Sequence, residues 1–343
     1  MKLMKTEEAV GQVLCHDITQ IIRGVTKDAV FRKGHVITQE DIPVLLSVGK
    51  ENIYIWEKDE TRYHENEAAE ILRDICMGEG MHPSEAKEGK IELIADRDGL
   101  FLVDVKRLNA VNSLGEMMIA SRLGGLPVKK GDKLAGTRII PLVIEKEKME
   151  RAKAMAGDTP LLQVLPMQKK RVGLVTTGNE VYSGRIQDTF TPVIQEKMEE
   201  YGCEITEHVI LDDKPEKITA AITQMLENGA DMVLCTGGMS VDPDDMTPLA
   251  IKNTADLVSY GAPVLPGAMF LLAYTGDGRP VMGLPGCVMY AKRTIFDLVL
   301  PRILADVKVD GELLAGMGQG GLCLGCRECR FPNCGFASAA RCR

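Results

Sequence analysis

The chain has 343 residues, 45% of them hydrophobic and 26% charged, which is the composition of a globular protein with room for two or three separate cores. A net charge of −8 gives no electrostatic case for wrapping nucleic acid or lying on an anionic membrane. No apolar run reaches the ~20 residues of a membrane span, and the opening from Met1 to Glu8 has no signal-peptide core, so a cytoplasmic location is expected.

Residues 1 to about 60 mix short strand-like runs with a helix over Glu40–Val48, stopped by Gly49, and a strand over Ile53–Trp56. A helix from Glu65 to Met77 would place Ala68, Ala69, Leu72 and Ile75 on one apolar face. The stretch to about residue 145 is punctuated by glycine and holds strands such as Gly99–Val105. Lys146–Ala156 is a charged helix, ended at Gly157–Pro160, and a domain boundary falls near residue 168. From there the texture becomes strand, loop, helix, repeated. Strands are expected at Val172–Thr176, Glu204–Ile210, Asp231–Cys235 and Arg279–Leu284, with helices at Pro192–Tyr201, Lys217–Glu227 and, the longest, about Val288–Leu304. Such alternation argues an α/β domain over residues 169–308, a three-layer, mostly parallel sheet with helices on both faces. A smaller mixed α+β region, 1–168, precedes it, and a cysteine-rich tail, 309–343, follows.

If the strands are parallel, three loops emerge on one edge of the sheet, where open α/β sheets hold their ligands. They are Thr176-Thr177-Gly178-Asn179-Glu180, then Asp212-Asp213, then Thr236-Gly237-Gly238-Met239-Ser240-Val241 with the acids Asp242, Asp244 and Asp245. Glycines let backbone approach a ligand closely, and hydroxyls, backbone N–H groups and the carboxylates Glu180, Asp188, Asp212, Asp213 and Asp245 converge there. That mixture suits an anionic ligand with a hard cation between its phosphates and the carboxylates. Neither a P-loop nor a G-x-G-x-x-G fingerprint occurs at these loops. Singly, each acid could equally be a helix cap or a solvated charge, above all Asp212 and Asp213 just before a helix.

Taken together, Thr177-Gly178-Asn179-Glu180, Gly184-x-Ile186-x-Asp188, Asp212-Asp213, Thr236-Gly237-Gly238-x-Ser240-Val241 with Asp245, and Gly283-Leu284-Pro285-Gly286 resemble the molybdopterin-binding domain of MoeA-type molybdopterin molybdotransferases, and of gephyrin-like, MogA-like and CinA-like proteins. Glu8–Ile18 and Phe31–Trp56 also resemble pieces of the MoeA opening. The resemblance implies a protein of molybdenum cofactor biosynthesis that binds molybdopterin, in its adenylylated form, and takes molybdate in a transferase reaction. It implies Mg²⁺ between the ligand phosphates and Glu180, Asp188, Asp213 and Asp245, with Asp245 a ligand of the ion. Thr176, Thr177, Gly178, Asp212, Thr236, Gly237, Gly238, Ser240, Pro285 and Gly286 would line the pterin site. A molybdoenzyme, another cofactor-biosynthesis protein or a second copy of the chain are the partners such a protein would meet. The departures open two alternatives, a non-catalytic molybdopterin carrier or loading factor and a CinA-like nucleotide pyrophosphatase. The family's Asp-Gly-Tyr-Ala motif is absent, with only Arg23–Val30 between the two N-terminal pieces. Asn179 replaces an acid, Ala268 replaces a lysine, Cys287-Val288 replaces Asn-Pro, and the tail replaces a terminal β domain.

The tail carries Cys323-x-x-Cys326-x-x-Cys329-x-x-x-x-Cys334, with Cys342 spare. Four thiolates at this spacing can surround Zn²⁺ or an iron–sulfur cluster, and the other reading is a reducible, disordered tail. Cys15, Cys76, Cys203 and Cys235 sit among apolar residues and are expected to be inert. Cys287, at the expected start of the last helix, is a candidate for a stabilised thiolate. The five histidines, His16, His35, His64, His82 and His208, show no metal spacing and read as structural or surface groups.

Overall fold

A computed structural model describes residues 1–22, 26–55, 59–240 and 242–337. Trp56, Val241 and Cys342 lie outside the described residues. The first 55 residues form a small module in which Lys2–Lys5 pairs antiparallel with Asn52–Ile55 and the hairpin Ile18–Ile22/Thr26–Phe31 stands beside the helix Asp41–Ser47. Ala9, Leu14, Ile18, Ile37, Ile42, Leu45, Ile53 and Ile55 make its core. A second module, from Arg62 to Leu165, packs the four strands Met81–Pro83, Lys90–Ala95, Lys133–Ile139 and Met117–Ser121 and a three-stranded sheet around the helix Glu65–Cys76. Ala68, Ala69, Leu72 and Ile75 of that helix are buried, the face the 3.6-residue period marks.

That helix begins on a histidine. The backbone N–H of Asn66 donates to His64 Nδ1 (3.2 Å), Glu67 returns a bond to the His64 N–H, and His64 Nε2 donates to the Cys15 carbonyl (2.9 Å) in the first module. One ring thus caps a helix and joins two modules, which requires it to be neutral. Burial lowers the pKa of both His64 and His16 below the ordinary imidazole value near 6.5. The unfolded chain therefore takes up these protons first, so the stability that the neutral rings contribute is present above that value and is lost as pH falls below it. Melting temperature should fall between pH 7.5 and pH 5.5. His64→Ala should cost about 1 kcal/mol, the usual effect of a lost cap, and should flatten that acid limb of the curve.

The third unit is the α/β domain. Its strands are β1 (Arg171–Thr177), β2 (Glu204–Leu211), β3 (Met232–Thr236), β4 (Asp256–Tyr260), β5 (Leu271–Tyr274) and β6 (Pro280–Leu284), in the sheet order β2-β1-β3-β6-β5-β4. The first four neighbours are parallel and β5 runs antiparallel to both of its neighbours. Helices are α1 (Asn179–Tyr182), α2 (Phe190–Glu199), α3 (Pro215–Glu227), α4 (Thr247–Thr254), α5 (Ile295–Leu304) and α6 (Gly311–Ala315). Val172, Leu174, Met232, Leu234 and Met282 face α2 and α5, while Val175, Val233, Cys235 and Val281 face α3 and α4. Both faces are covered, so the inner strands read as unbroken apolar runs, as a buried parallel sheet requires. This is the three-layer, mostly parallel α/β fold expected from the sequence.

Three details differ from the sequence reading. The strands β4, at one edge, and β5 beside it were not foreseen, being short and without clear alternation. Helix α5 starts at Ile295, seven residues later than expected, because Thr294 and Asp297 form a capping box that fixes its first turn. Residues Gly286–Met289 form only a single 3-10 turn. Cys287 in that turn is half-buried, and burial pushes its thiol above the ordinary range, which overturns the stabilised-thiolate reading.

Candidate functional site

The C-terminal ends of β1, β2, β3 and β6 deliver four loops to one edge of the sheet. Parallel register brings Thr176 beside Thr236, and Thr236 beside Leu284. The turn after β3 is pinned by the protein itself. A Cβ on Gly237 (φ +82°) would lie 2.1 Å from the Thr177 carbonyl oxygen. One on Gly238 (φ +51°) would lie 2.9 Å from Thr247 Oγ1 and 3.0 Å from Thr177 Oγ1. The sequence suggests glycines that admit a ligand; the structure shows glycines that admit β1 and α4. Gly237→Ala should therefore lower stability by about 1–3 kcal/mol through backbone strain, read as a lower melting temperature even without ligand.

Beneath the turn, Thr176, Thr177, Thr236 and Thr247 are buried. The hydroxyls of Thr177 and Thr247 stand 3.0 Å apart, and Thr236 Oγ1 donates to Thr176 Oγ1 (3.3 Å). His208 Nε2 lies 3.1 Å from Thr176 Oγ1 and 3.0 Å from Thr191 Oγ1. Burial lowers the pKa of His208, while Asp188, 3.8 Å away, opposes it. His208 is thus a structural group in the site's floor, carried on β2, the strand beside that of Thr176.

The carboxylates divide into two groups. Asp188 accepts from the N–H groups of Phe190 (2.8 Å) and Thr191 (3.1 Å) at the start of α2, with a short bond from the Thr191 hydroxyl as well. It does the work of a helix cap. Asp212 accepts from Lys217 (3.0 Å), which holds its carboxyl below the usual range, with burial opposing. Asp213 is different. Its Oδ2 accepts from the Asn179 N–H (2.9 Å) rather than from a lysine, and its Oδ1, buried without a hydrogen-bond partner like Asp212 Oδ1, lies 3.4 Å from where a Gly238 Cβ would stand. Burial pushes the Asp213 carboxyl up, the Asn179 and Thr177 hydrogen bonds oppose this, and repulsion from Asp245 and Glu180 adds to it. Asp245 and Glu180 thus act on Asp213 through their charge at this edge. Asp245 Oδ2 accepts from the Ser240 N–H (2.8 Å), and Glu180, in the short helix α1, is exposed.

Opposite the acids lies an open, largely apolar cleft of about 820 Å³, bounded by Gly237–Ser240, Leu265–Met269, Pro285–Cys287, Met289, Tyr290, Leu322 and Cys323. Asp245 is the one charged side chain in its lining among the described residues. Leu322 and Cys323 belong to the tail. Leu265 N–H donates to the Gly321 carbonyl and Cys323 N–H to the Leu265 carbonyl, both at 2.8 Å, while Phe336 and Ala337 are buried in the core of the domain. The tail is therefore one wall of the cleft and not an appendage beyond it. Its cysteines split between Cys323 and Cys334, packed against the core, and Cys326 and Cys329, exposed. The described residues contain no group of three or more His, Cys, Asp or Glu side chains arranged to hold a metal ion.

Residues 173–305 match the family described as "Probable molybdopterin binding domain". That match covers about two fifths of the chain. Residues 3–57 match a domain family of unknown function. CinA-like proteins of Mycobacterium tuberculosis and Mycobacterium avium are 40% and 38% identical over 77 residues, 22% of this chain and 18% of those proteins. The chain thus matches less than a fifth of the length of these curated relatives. Among solved structures, the molybdopterin biosynthesis enzyme MoaB of Thermus thermophilus is similar at 24% identity and a TM-score of 0.36, over 40% of this chain and 94% of that one. The tungsten cofactor synthesizing protein MoaB of Pyrococcus furiosus is similar at 20% identity and a TM-score of 0.34, over 41% and 98%.

Proposed function

We propose that the chain acts in molybdenum cofactor biosynthesis, binding adenylylated molybdopterin at this edge and promoting molybdate insertion with Mg²⁺. The observation that carries the reading is the orphaned, buried Asp213 Oδ1 facing the Gly237–Gly238 turn, with the charges of Asp245 and Glu180 acting on the same carboxyl. Buried carboxylate oxygens find partners, and a hard cation satisfies an oxygen that backbone donors leave unmet. Mg²⁺ keeps several waters and takes one or two carboxylates plus ligand phosphates, so Asp213 and Asp245 fit it better than Asp188, whose oxygens are engaged by α2. When bound, such an ion would offset phosphate charge during loss of AMP. The chain's own share is positional. The Gly237–Ser240 backbone would face the phosphates and the apolar wall of Leu265–Met269 and Pro285–Gly286 the pterin ring system.

A second reading, a molybdopterin carrier or loading factor, is favoured by the lack of any lysine or arginine among the described residues lining the cleft, where a molybdate dianion would sit. Incubating the chain with adenylylated molybdopterin, molybdate and Mg²⁺ separates them. Metal-loaded pterin with release of AMP supports insertion; unchanged bound pterin supports the carrier. AMP release without metal transfer points to a CinA-like pyrophosphatase, and no retained pterin rejects the molybdopterin reading altogether.

A further inference from the structure

The tail has a geometry of its own. The Ala337 N–H donates to the Gly320 carbonyl (2.7 Å), closing residues 320–337 into a loop. Its first strand of chain is held by Leu265, and its far end is buried through Phe336 and Ala337. Asn333 accepts from Arg122 Nη2 (2.8 Å) of the second module, and the Arg293 guanidinium sits 5.3 Å from the centre of the Phe331 ring. Cys323, Cys326, Cys329 and Cys334 all line one cavity of about 550 Å³ between this loop, Pro266 and the segment Tyr290–Arg293. Pro266, Tyr290, Leu322 and Cys323 line that cavity and the pterin cleft alike.

We propose that the loop is a four-thiolate site for a soft metal centre, and that loading it sets the wall of the neighbouring cleft. Soft thiolates select zinc or an iron–sulfur cluster, and four of them at Cys-x2-Cys-x2-Cys-x4-Cys spacing suffice for either. Loop closure at Gly320–Ala337 removes most of the entropy that a free tail would lose on gathering its ligands. Gly325 (φ +62°) and Gly335 have open space around them, so the chain can tighten beside Cys326 and Cys334 without collision. The exposed Cys326 and Cys329 would move inward, releasing their thiol protons to solvent as the thiolates bind. Arg327 and Arg330 lie between the ligands and offset part of the charge of four thiolates. Because Cys323 pairs with Leu265, tightening the loop acts directly on the cleft.

The site is independent of what the cleft binds and can be tested without pterin. The full chain is purified anaerobically and offered zinc, or iron with sulfide, and metal content and visible spectrum are recorded for it and for Cys326→Ser/Cys329→Ser. Both serines are at exposed positions, and an unchanged melting temperature of the untreated double variant checks its fold. About one zinc per chain, or a coloured cluster, falling to roughly a tenth in the variant is the expected result. Less than about 0.2 centre per chain in the parent under both treatments overturns the site. Hydrogen exchange reads the coupling: the Leu265 and Cys323 amides should slow about tenfold or more on loading. Equal exchange at both amides, with metal bound, overturns the link to the cleft.

Discussion

Asp297→Ala is expected to cost about 3–5 kcal/mol, the effect of removing one partner of a buried ion pair. Lys197 Nζ and Asp297 Oδ1 are 2.7 Å apart, and both side chains are almost wholly buried. Asp297 also accepts from Arg293 Nη1 (2.9 Å) and from the Thr294 N–H (2.7 Å), so it caps α5 and holds the segment after Cys287 in place. Alanine would leave a lysine ammonium inside the protein with only the Lys292 carbonyl, 3.4 Å away, and would remove the cap as well. Chemical denaturation measures the loss. The double replacement Lys197→Met/Asp297→Leu should regain a large part of it, because two apolar groups leave no stranded charge. A loss below about 1 kcal/mol for Asp297→Ala would mean that water reaches the pair.

Asp213→Asn should stabilise the ligand-free chain while destroying cation-dependent binding. The Asp213 carboxyl is raised by burial, so the folded chain holds its proton more tightly than the unfolded one. Ionising it costs stability increasingly as pH rises through the carboxylate range, and an amide removes that cost. The Asn179 N–H keeps an oxygen to donate to. The expected melting temperature at pH 7 is therefore higher than that of the parent, with the gain vanishing below about pH 4. Mg²⁺-dependent pterin affinity, by contrast, should fall by about tenfold or more, since a neutral amide does not offset the ion's charge. Asp188→Asn provides the contrast. It should weaken the start of α2 and leave the Mg²⁺ dependence in place, because Asp188 is committed to the Phe190 and Thr191 amides.

Much of this was readable from residue order. The strand ends of β1, β2 and β3 were legible because each strand-like run is followed by glycine or acid, and parallel connections must return their loops to one edge. The helix at Glu65–Cys76 was legible from periodicity, but its histidine cap was not, since a ring nitrogen accepting from a helix N–H leaves no mark in the apolar pattern. The Thr294/Asp297 box was present in the sequence and was outweighed by the apolar residues before it. The individual fates of the acids depend on partners distant in sequence. Asp213 is distinguished from Asp188 by a 34-residue hydrogen bond to Asn179, which spacing alone does not reveal. Most hidden was the tail, whose cysteines draw the eye away from Phe336 and Ala337, the residues that dock it.

The pairing of Leu265 with Gly321 and Cys323 also bears on the order in which the molecule is built. Domains fold from the N-terminal side as the chain is synthesised, and the modules ending at Leu165 have complete cores of their own by then. The α/β sheet is complete once Leu284 is in place. The cleft is not, because one wall consists of residues synthesised after every strand and helix of the domain. A nascent chain thus passes through a stage at which the acidic edge is formed and its apolar side stands open, and a bulky cargo could enter sideways before the wall arrives.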